Sequence, residues 1–144
     1  GQICTLDDTV IGEHQGLWFY TLGQRHGLNI GGPGDAWYVA AKDMSRNVLR
    51  VVQGHDHPAL MRDSAQAEEL SWVENDPPQF PFRCSAKTRY RQADQACTLS
   101  RIGPDKIEIT FEQPQRAITP GQALVLYDGS RLIGGGVFCD LING

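Results

Sequence analysis

Glycine and proline divide this sequence into short apolar segments, and that punctuation limits the possible folds more than any other feature. The 144 residues include 16 glycines and 8 prolines. Both residues interrupt regular structure, and short apolar runs between closely spaced turn signals are typical of short strands. The sequence therefore predicts a mainly β protein.

The strongest interruption is the segment 76–81 (DPPQFP), which has prolines at positions 77, 78 and 81. Proline lacks the amide hydrogen that a strand ladder or a helix interior needs. We therefore predict a domain boundary here, with one small β module over residues 1–76 and a second over residues 82–144.

The first module is predicted to be β-rich with one helix. Residues 17–23 are apolar nearly all round and are bounded by glycines, which suggests a short buried helix. A glycine loop follows at 27–34. The expected strands are a hairpin over 3–6 and 10–11, a second hairpin over 37–42 and 48–52, and a closing strand over 65–73.

The second module contains five strand-like segments and no convincing helix. They are separated by turn signals at 102–105, 119–121 and 128–129. Many short strands at this spacing favour a small closed barrel, which leaves no exposed strand edges. The predicted strands are 82–90, 96–102, 106–111, 123–127 and 131–138.

Several classes of protein are excluded by residue type and spacing. Four widely spaced cysteines without a C-x-x-C pair argue against a zinc ribbon and a disulfide scaffold. Cys84 and Cys97 could pair across neighbouring strands, although buried free thiols are the expected state in a reducing compartment. No apolar run approaches the roughly 20 residues of a membrane span. His55 and His57 have no further ligand nearby, so no metal site is predicted.

Charge is distributed unevenly along the chain, whose formal net charge is −4. Residues 1–75 contain 5 Lys or Arg and 10 Asp or Glu, whereas residues 76–144 contain 8 and 7. A bulk electrostatic attraction to nucleic acid is thus not expected. Residues 76–144 are therefore the more favourable region for a site that binds a polyanion.

The most cationic segment is 87–92 (KTRYRQ). On a regular strand, residues two apart share a face at a spacing of about 6.6 Å, so Lys87, Arg89 and Arg91 would form a row of positive charge. Such a row is tolerated on any solvated face, but it would also suit phosphates. Tyr90 could stack on a base or a ribose, although a regular strand would point it away from Arg89.

Two further segments are candidate RNA contacts. The turn 119–122 (TPGQ) would present Gln122, whose amide can both donate to and accept from a base edge. In 23–27 (GQRHG), the glycines would let a ligand approach the backbone near Gln24 and Arg25. The alternative for 119–122 is an ordinary structural turn, and the alternative for 23–27 is an ordinary glycine-rich loop.

Taken together, these segments resemble the central and C-terminal domains of tRNA-specific 2-thiouridylases. The matching segments occur in the same order over nearly the whole chain. They are 11–17 (IGEHQGL), 20–25 (YTLGQR), 37–39 (WYV), 52–58 (VQGHDHP), 87–92 (KTRYRQ), 114–117 (PQRA), 119–122 (TPGQ) and 134–136 (GGG).

This resemblance implies a β-roll central domain followed by a β-barrel like the second domain of translation elongation factors. It implies a cytosolic enzyme that transfers sulfur to C2 of the wobble uridine of tRNA, with ATP and Mg²⁺ bound in an N-terminal domain. The family's ATP-binding loop has no counterpart here, and no cysteine of this chain matches a catalytic cysteine of the family. We therefore predict no catalytic residue and no cofactor in this chain, which should be inactive alone.

The resemblance also matches Arg89, Tyr90 and Gln122 to tRNA contacts of the family. The expected partner is therefore tRNA. The alternative is a docking module for a protein that donates persulfide sulfur, since an acidic first half could receive a basic partner.

Overall fold

A computed structural model describes residues 1–88 and 93–139, which form two compact units that divide after Met61. The first unit contains a four-stranded sheet in the order β2-β1-β4-β3. Strand β1 pairs in parallel with β4 and antiparallel with β2. The strands are β1 (Gln2–Cys4), β2 (Val10–Glu13), β3 (Trp37–Asp43) and β4 (Val48–Gln53).

The larger of the two buried clusters of the first unit includes residues from three of the four strands. Ile3, Val39, Leu49 and Val51 are fully buried and come from three of the four strands. The two hairpins predicted for this region, β1–β2 and β3–β4, are confirmed.

The helix predicted over 17–23 is wrong. A single 3-10 turn spans Leu17–Phe19, and Trp18 and Phe19 are 83% and 66% exposed. Paired backbone hydrogen bonds, Gly23 N–H to Val39 O and Val39 N–H to Gln24 O, tie the following residues to β3. The backbone groups of the run are therefore satisfied by short local turns and, at its end, by β3, and not by a continuous helix.

The second unit is a closed six-stranded barrel in the order β10-β5-β8-β7-β6-β9. Its strands are β5 (Met61–Trp72), β6 (Phe82–Lys87), β7 (Gln95–Gly103), β8 (Lys106–Arg116), β9 (Ala123–Asp128) and β10 (Arg131–Phe138). Alternate residues of these strands, such as Leu99, Ile107, Ile109 and Leu126, point inward and are fully buried. The mainly β fold and the closed barrel are thus as predicted.

The units do not divide at the prolines of 76–81, where the sequence predicted the boundary. Strand β5, predicted to close the first module, pairs with β10 through Ala67↔Phe138 and Trp72↔Gly134 and so belongs to the barrel. The prolines lie in the connection between β5 and β6. Regular strand pairing must stop in a connection between two barrel strands, just as it must in a linker between domains. The prolines therefore do not show which kind of connection is present.

The glycine run 134–136 is explained by close strand packing. A Cβ atom at any of these three positions of β10 would overlap a backbone oxygen of a neighbouring strand, that of Ser71, Leu124 or Glu68. The run is therefore a packing feature of the barrel.

Candidate nucleic-acid interface

Two of the four described residues that the sequence selected, Lys87 and Gln122, lie at one end of the barrel. Strand β6 ends at Lys87, β7 begins at Gln95, β8 ends at Arg116 and β9 begins at Ala123. Antiparallel pairing of β6 with β7 and β9, and of β7 with β8, brings these positions to the same end. We call residues 87–88, 93–95 and 115–122 the rim.

Lys87 is the last residue of β6 and is partly engaged within the rim. Its Nζ lies 3.5 Å from Oδ1 of Asp94 and 5.3 Å from the centre of the Tyr127 ring. The side chain remains 42% exposed. A partly exposed ion pair of this kind contributes at most about 1 kcal/mol, so Lys87 stays available to an anion at small cost.

Arg89, Tyr90 and Arg91 lie outside the described residues, so their predicted contacts with RNA stay predictions. The strand predicted over 82–90 ends at Lys87. Thr88 is 4% exposed and is not part of the ladder. Of the predicted row of three cations, only Lys87 therefore lies on the described strand.

Gln122 joins two separate elements of the rim. Its Nε2 donates to the carbonyl oxygen of Thr88, and its Oε1 accepts from the Thr119 amide at 3.2 Å. The sequence predicted an amide open to RNA, but both of its polar atoms have internal partners. The side chain therefore connects the turn before β9 with the residue that follows β6.

On the other flank of segment 89–92, two glutamines, Gln115 and Gln95, are hydrogen-bonded to each other. Gln115 is 5% exposed and donates from Nε2 to Oε1 of Gln95 at 3.1 Å and to the Gln113 carbonyl at 2.8 Å. Gln95 in turn donates to the carbonyl of Ala93 at 2.9 Å. Thr88 on one side and Ala93 to Gln95 on the other are thus each attached to the barrel by side chains.

From the sequence, Gln115 was noted only as part of the matching segment 114–117 (PQRA). A stronger signal was present in the period of β8, where inward-facing positions alternate from Ile107 through Ile109 and Phe111. Continuing that period places Gln115 on the inner face, where a polar side chain must find hydrogen-bond partners.

Gln24 and Arg25 lie in the first unit. Gln24 accepts from the Thr21 amide at 2.9 Å through Oε1 and donates to the His26 carbonyl at 2.8 Å through Nε2. Arg25 is exposed. Both polar atoms of the Gln24 amide thus bind backbone groups, as those of Gln122 do, whereas Arg25 is accessible to a ligand.

The described part of the chain contains neither a cluster of metal ligands nor a long apolar helix. No group of three or more His, Cys, Asp or Glu side chains among residues 1–88 and 93–139 is arranged to hold a metal ion. Over the same residues, no helix has the length and apolar character needed to cross a bilayer.

Comparison with known families matches both units. Residues 62–138 match the aminomethyltransferase beta-barrel domain, and residues 1–53 match the tRNA methyl transferase PRC-barrel domain. The chain therefore belongs to the family of the aminomethyltransferase beta-barrel domain, whose model matches more than half of it. The first of these matches begins directly after Met61, where the two structural units divide.

Curated relatives agree with the resemblance found in the sequence. The chain is 54% identical over 142 residues to the tRNA-specific 2-thiouridylase of Alkalilimnicola ehrlichii, covering 95% of this chain and 39% of that protein. It is 49% identical over 146 residues to the enzyme of Nitrosomonas eutropha, covering 99% of this chain and 40% of that protein. The predicted relationship to 2-thiouridylases is thus confirmed, and the chain spans about two fifths of the length of these relatives.

Proposed function

We propose that this chain is the tRNA-positioning part of a tRNA-specific 2-thiouridylase, which transfers sulfur to C2 of the wobble uridine in an ATP-dependent reaction. Relatives with that name that are 54% and 49% identical over the aligned residues support the tRNA-modifying class. The observation that carries the positioning role is the attachment of both flanks of segment 89–92 to the barrel, by Gln122 on one side and Gln95 on the other.

Segment 89–92 supplies the chemistry that the rim lacks. Arg89 and Arg91 offer planar guanidinium groups that match phosphate oxygens, and Tyr90 offers a ring for stacking. The flanking residues Thr88 and Ala93 are already held by side chains of the barrel, so that ordering them costs little entropy when RNA binds. Lys87, Arg89 and Arg91 are therefore proposed as phosphate contacts and Tyr90 as a stacking contact.

Gln122 and Gln24 are proposed to act in RNA binding mainly by holding the segments next to them. The remaining lone pair and amide hydrogen of each could still reach RNA. Arg25 in the first unit is proposed as an additional phosphate contact, because its side chain is exposed.

ATP with Mg²⁺ and the sulfur-transfer steps are assigned to another domain of the full-length protein, which is proposed to act in the cytoplasm. The described residues of this chain offer no cluster of metal ligands.

Binding of tRNA to this chain in a salt titration tests the proposal. Affinity should be weak, because the net charge is −4 and few phosphates can be neutralised. Arg89→Ala should weaken binding and reduce the slope of log affinity against log salt by about one unit. Arg131→Ala is the matched control, since β10 begins with this exposed arginine at the opposite end of the barrel. Equal effects of the two variants would refute the rim as the RNA site.

Docking of a persulfide sulfur donor is the second candidate function, and one observation favours it. Trp18 and Phe19 are largely exposed, with ring centres 5.3 Å apart. Adjacent exposed aromatic side chains are characteristic of protein interfaces. Trp18→Ala should weaken binding of a persulfide donor and leave tRNA binding unchanged; the reverse pattern would assign these rings to RNA.

A further inference from the structure

Two cysteines of the barrel occupy directly opposed positions on adjacent strands. Cys84 on β6 is the register partner of Cys97 on β7, and their Sγ atoms are 3.8 Å apart. Opposed residues of antiparallel strands have Cα atoms about 4.5–5.5 Å apart. A disulfide spans Cα separations of about 4.4–6.8 Å, so the backbone spacing already suits a bond and the side chains need only rotate.

The two thiols differ in exposure. Cys97 is 1% exposed and belongs to the buried core of the barrel, whereas Cys84 is partly exposed and packs against that core. A reagent from solution therefore meets Cys84 first. Cys97 is reached most directly through the Cys84 sulfur atom.

The hydrogen bond between the thiols also makes them chemically different. Donation from Cys97 lowers the pKa of Cys84 despite the opposing effect of burial. The same hydrogen bond, together with burial, raises the pKa of Cys97. Cys84 is consequently the thiol that ionises first, and the thiolate is the form that attacks disulfides.

We propose that Cys84 and Cys97 form a redox-active dithiol site that reacts with small disulfides of the glutathione type and closes a reversible cross-strand disulfide. In the first step the Cys84 thiolate attacks one sulfur of the small disulfide, forms a mixed disulfide and expels one thiolate. In the second step Cys97 attacks the Cys84 sulfur, expels the second thiolate and gives up its proton to it. The protein dithiol is oxidised by two electrons, and the small disulfide is reduced to two thiols.

The location of this site connects it to the rim. Cys84 lies three residues before Lys87 on β6, and Cys97 lies two residues after Gln95 on β7. A bond between them would covalently close the stretch 84–97, which contains segment 89–92. The redox state of the pair would thus set how far β6 and β7 can separate. The site itself does not depend on the proposed RNA function.

Peptide mapping of the chain after incubation with oxidised glutathione tests the proposal. Trypsin should cleave after Arg83, Lys87, Arg91 and Arg101, so Cys84 and Cys97 fall on separate peptides, 84–87 and 92–101. We expect these two peptides to be joined under non-reducing conditions and separated again by dithiothreitol. A linked pair that includes Cys4 or Cys139 instead, or a link that forms only in denaturant, would overturn the proposal.

Two single variants distinguish attacking from resolving thiol. Cys97→Ser should retain the mixed disulfide at Cys84, because no second thiol resolves it. Cys84→Ser should leave Cys97 unmodified, because Cys97 is buried. Circular dichroism verifies that both variants keep the β fold, and the mapping of the unaltered chain decides the matter if either does not. Glutathione adducts on Cys97 in the folded Cys84→Ser variant would contradict the assigned order of attack.

Discussion

The two units of this protein contain the same four-residue turn, T-x-G-Q, at 21–24 and at 119–122. In each turn the glutamine Oε1 accepts from the threonine amide, at 2.9 Å in the first unit and 3.2 Å in the barrel. In each, the glycine and glutamine form a pair of backbone hydrogen bonds with one buried strand residue, Val39 in the first case and Phe138 in the second. The glycines have almost equal φ angles of +84° and +87°.

The turns differ in the group that receives the remaining amide hydrogen bond. Gln24 donates to the His26 carbonyl, two residues along the chain, whereas Gln122 donates to the Thr88 carbonyl, 34 residues away. One turn therefore closes its own loop, and the other connects two strands of the barrel. The same local motif acquires a long-range role only where the fold brings another element next to it.

Among the substitutions that test this comparison of the two turns, those of the glycines should have the largest effect on stability. Alanine at Gly23 or Gly121 would be held in the left-handed region, which costs about 1–2 kcal/mol. No neighbouring atom lies within 4 Å of a Cβ built at Gly121, so strain and not overlap is the cause there. Amide exchange measured by NMR should be accelerated at Val39 in Gly23→Ala and at Phe138 in Gly121→Ala. Acceleration at the same amide in both variants would show that the turns are not independent.

Removing the glutamine side chains should have a smaller effect on stability but should separate the two roles. Gln24→Ala and Gln122→Ala each lose two hydrogen bonds of a partly exposed side chain, and each should lower the free energy of unfolding by about 1 kcal/mol. Because only Gln122 holds the flank of segment 89–92, Gln122→Ala should weaken tRNA binding more than Gln24→Ala does. Parallel denaturation and tRNA titrations provide the measurement, and equal losses of affinity would remove the distinction between the turns.

A glutamate at the same positions sharpens that test. Gln122→Glu retains an acceptor for the Thr119 amide but replaces the donor to Thr88 by an oxygen. The turn should survive, while tRNA affinity falls at least as far as in the alanine variant. Gln24→Glu is the matched control for added negative charge. Equal affinities of Gln122→Glu and the unaltered chain would show that the contact with Thr88 is dispensable for binding.

The smallest effect is expected from Arg25, the exposed cation next to the first turn. Residues 1–61 contain 4 Lys or Arg and 6 Asp or Glu, so this unit attracts a polyanion only locally. Arg25→Ala should reduce the salt slope by about one unit, as for any single phosphate contact, but should lower affinity less than Arg89→Ala. An unchanged slope would restrict the proposed RNA interface to the barrel.

Most of the strands were predictable, because their residue pattern is set by local steric preferences and by burial of one face. Both hairpins of the first unit and three of the five strands that follow the prolines appear close to their predicted limits, whereas β6 ends at Lys87 and β8 continues to Arg116. The helix at 17–23 failed because a short, mostly apolar run has no period that distinguishes a helix from a buried segment of another kind. The role of Gln115 was missed because its neighbours on the inner face come from another strand.

The sequence by itself determined the β class, the positions of the strands and turns, and the family. The tertiary structure decided that β5 completes the barrel, that Gln122 reaches Thr88 and that Cys84 faces Cys97. The reason is physical: alternation and turn chemistry act over a few residues, whereas strand partners and register are selected by packing across the whole closed barrel.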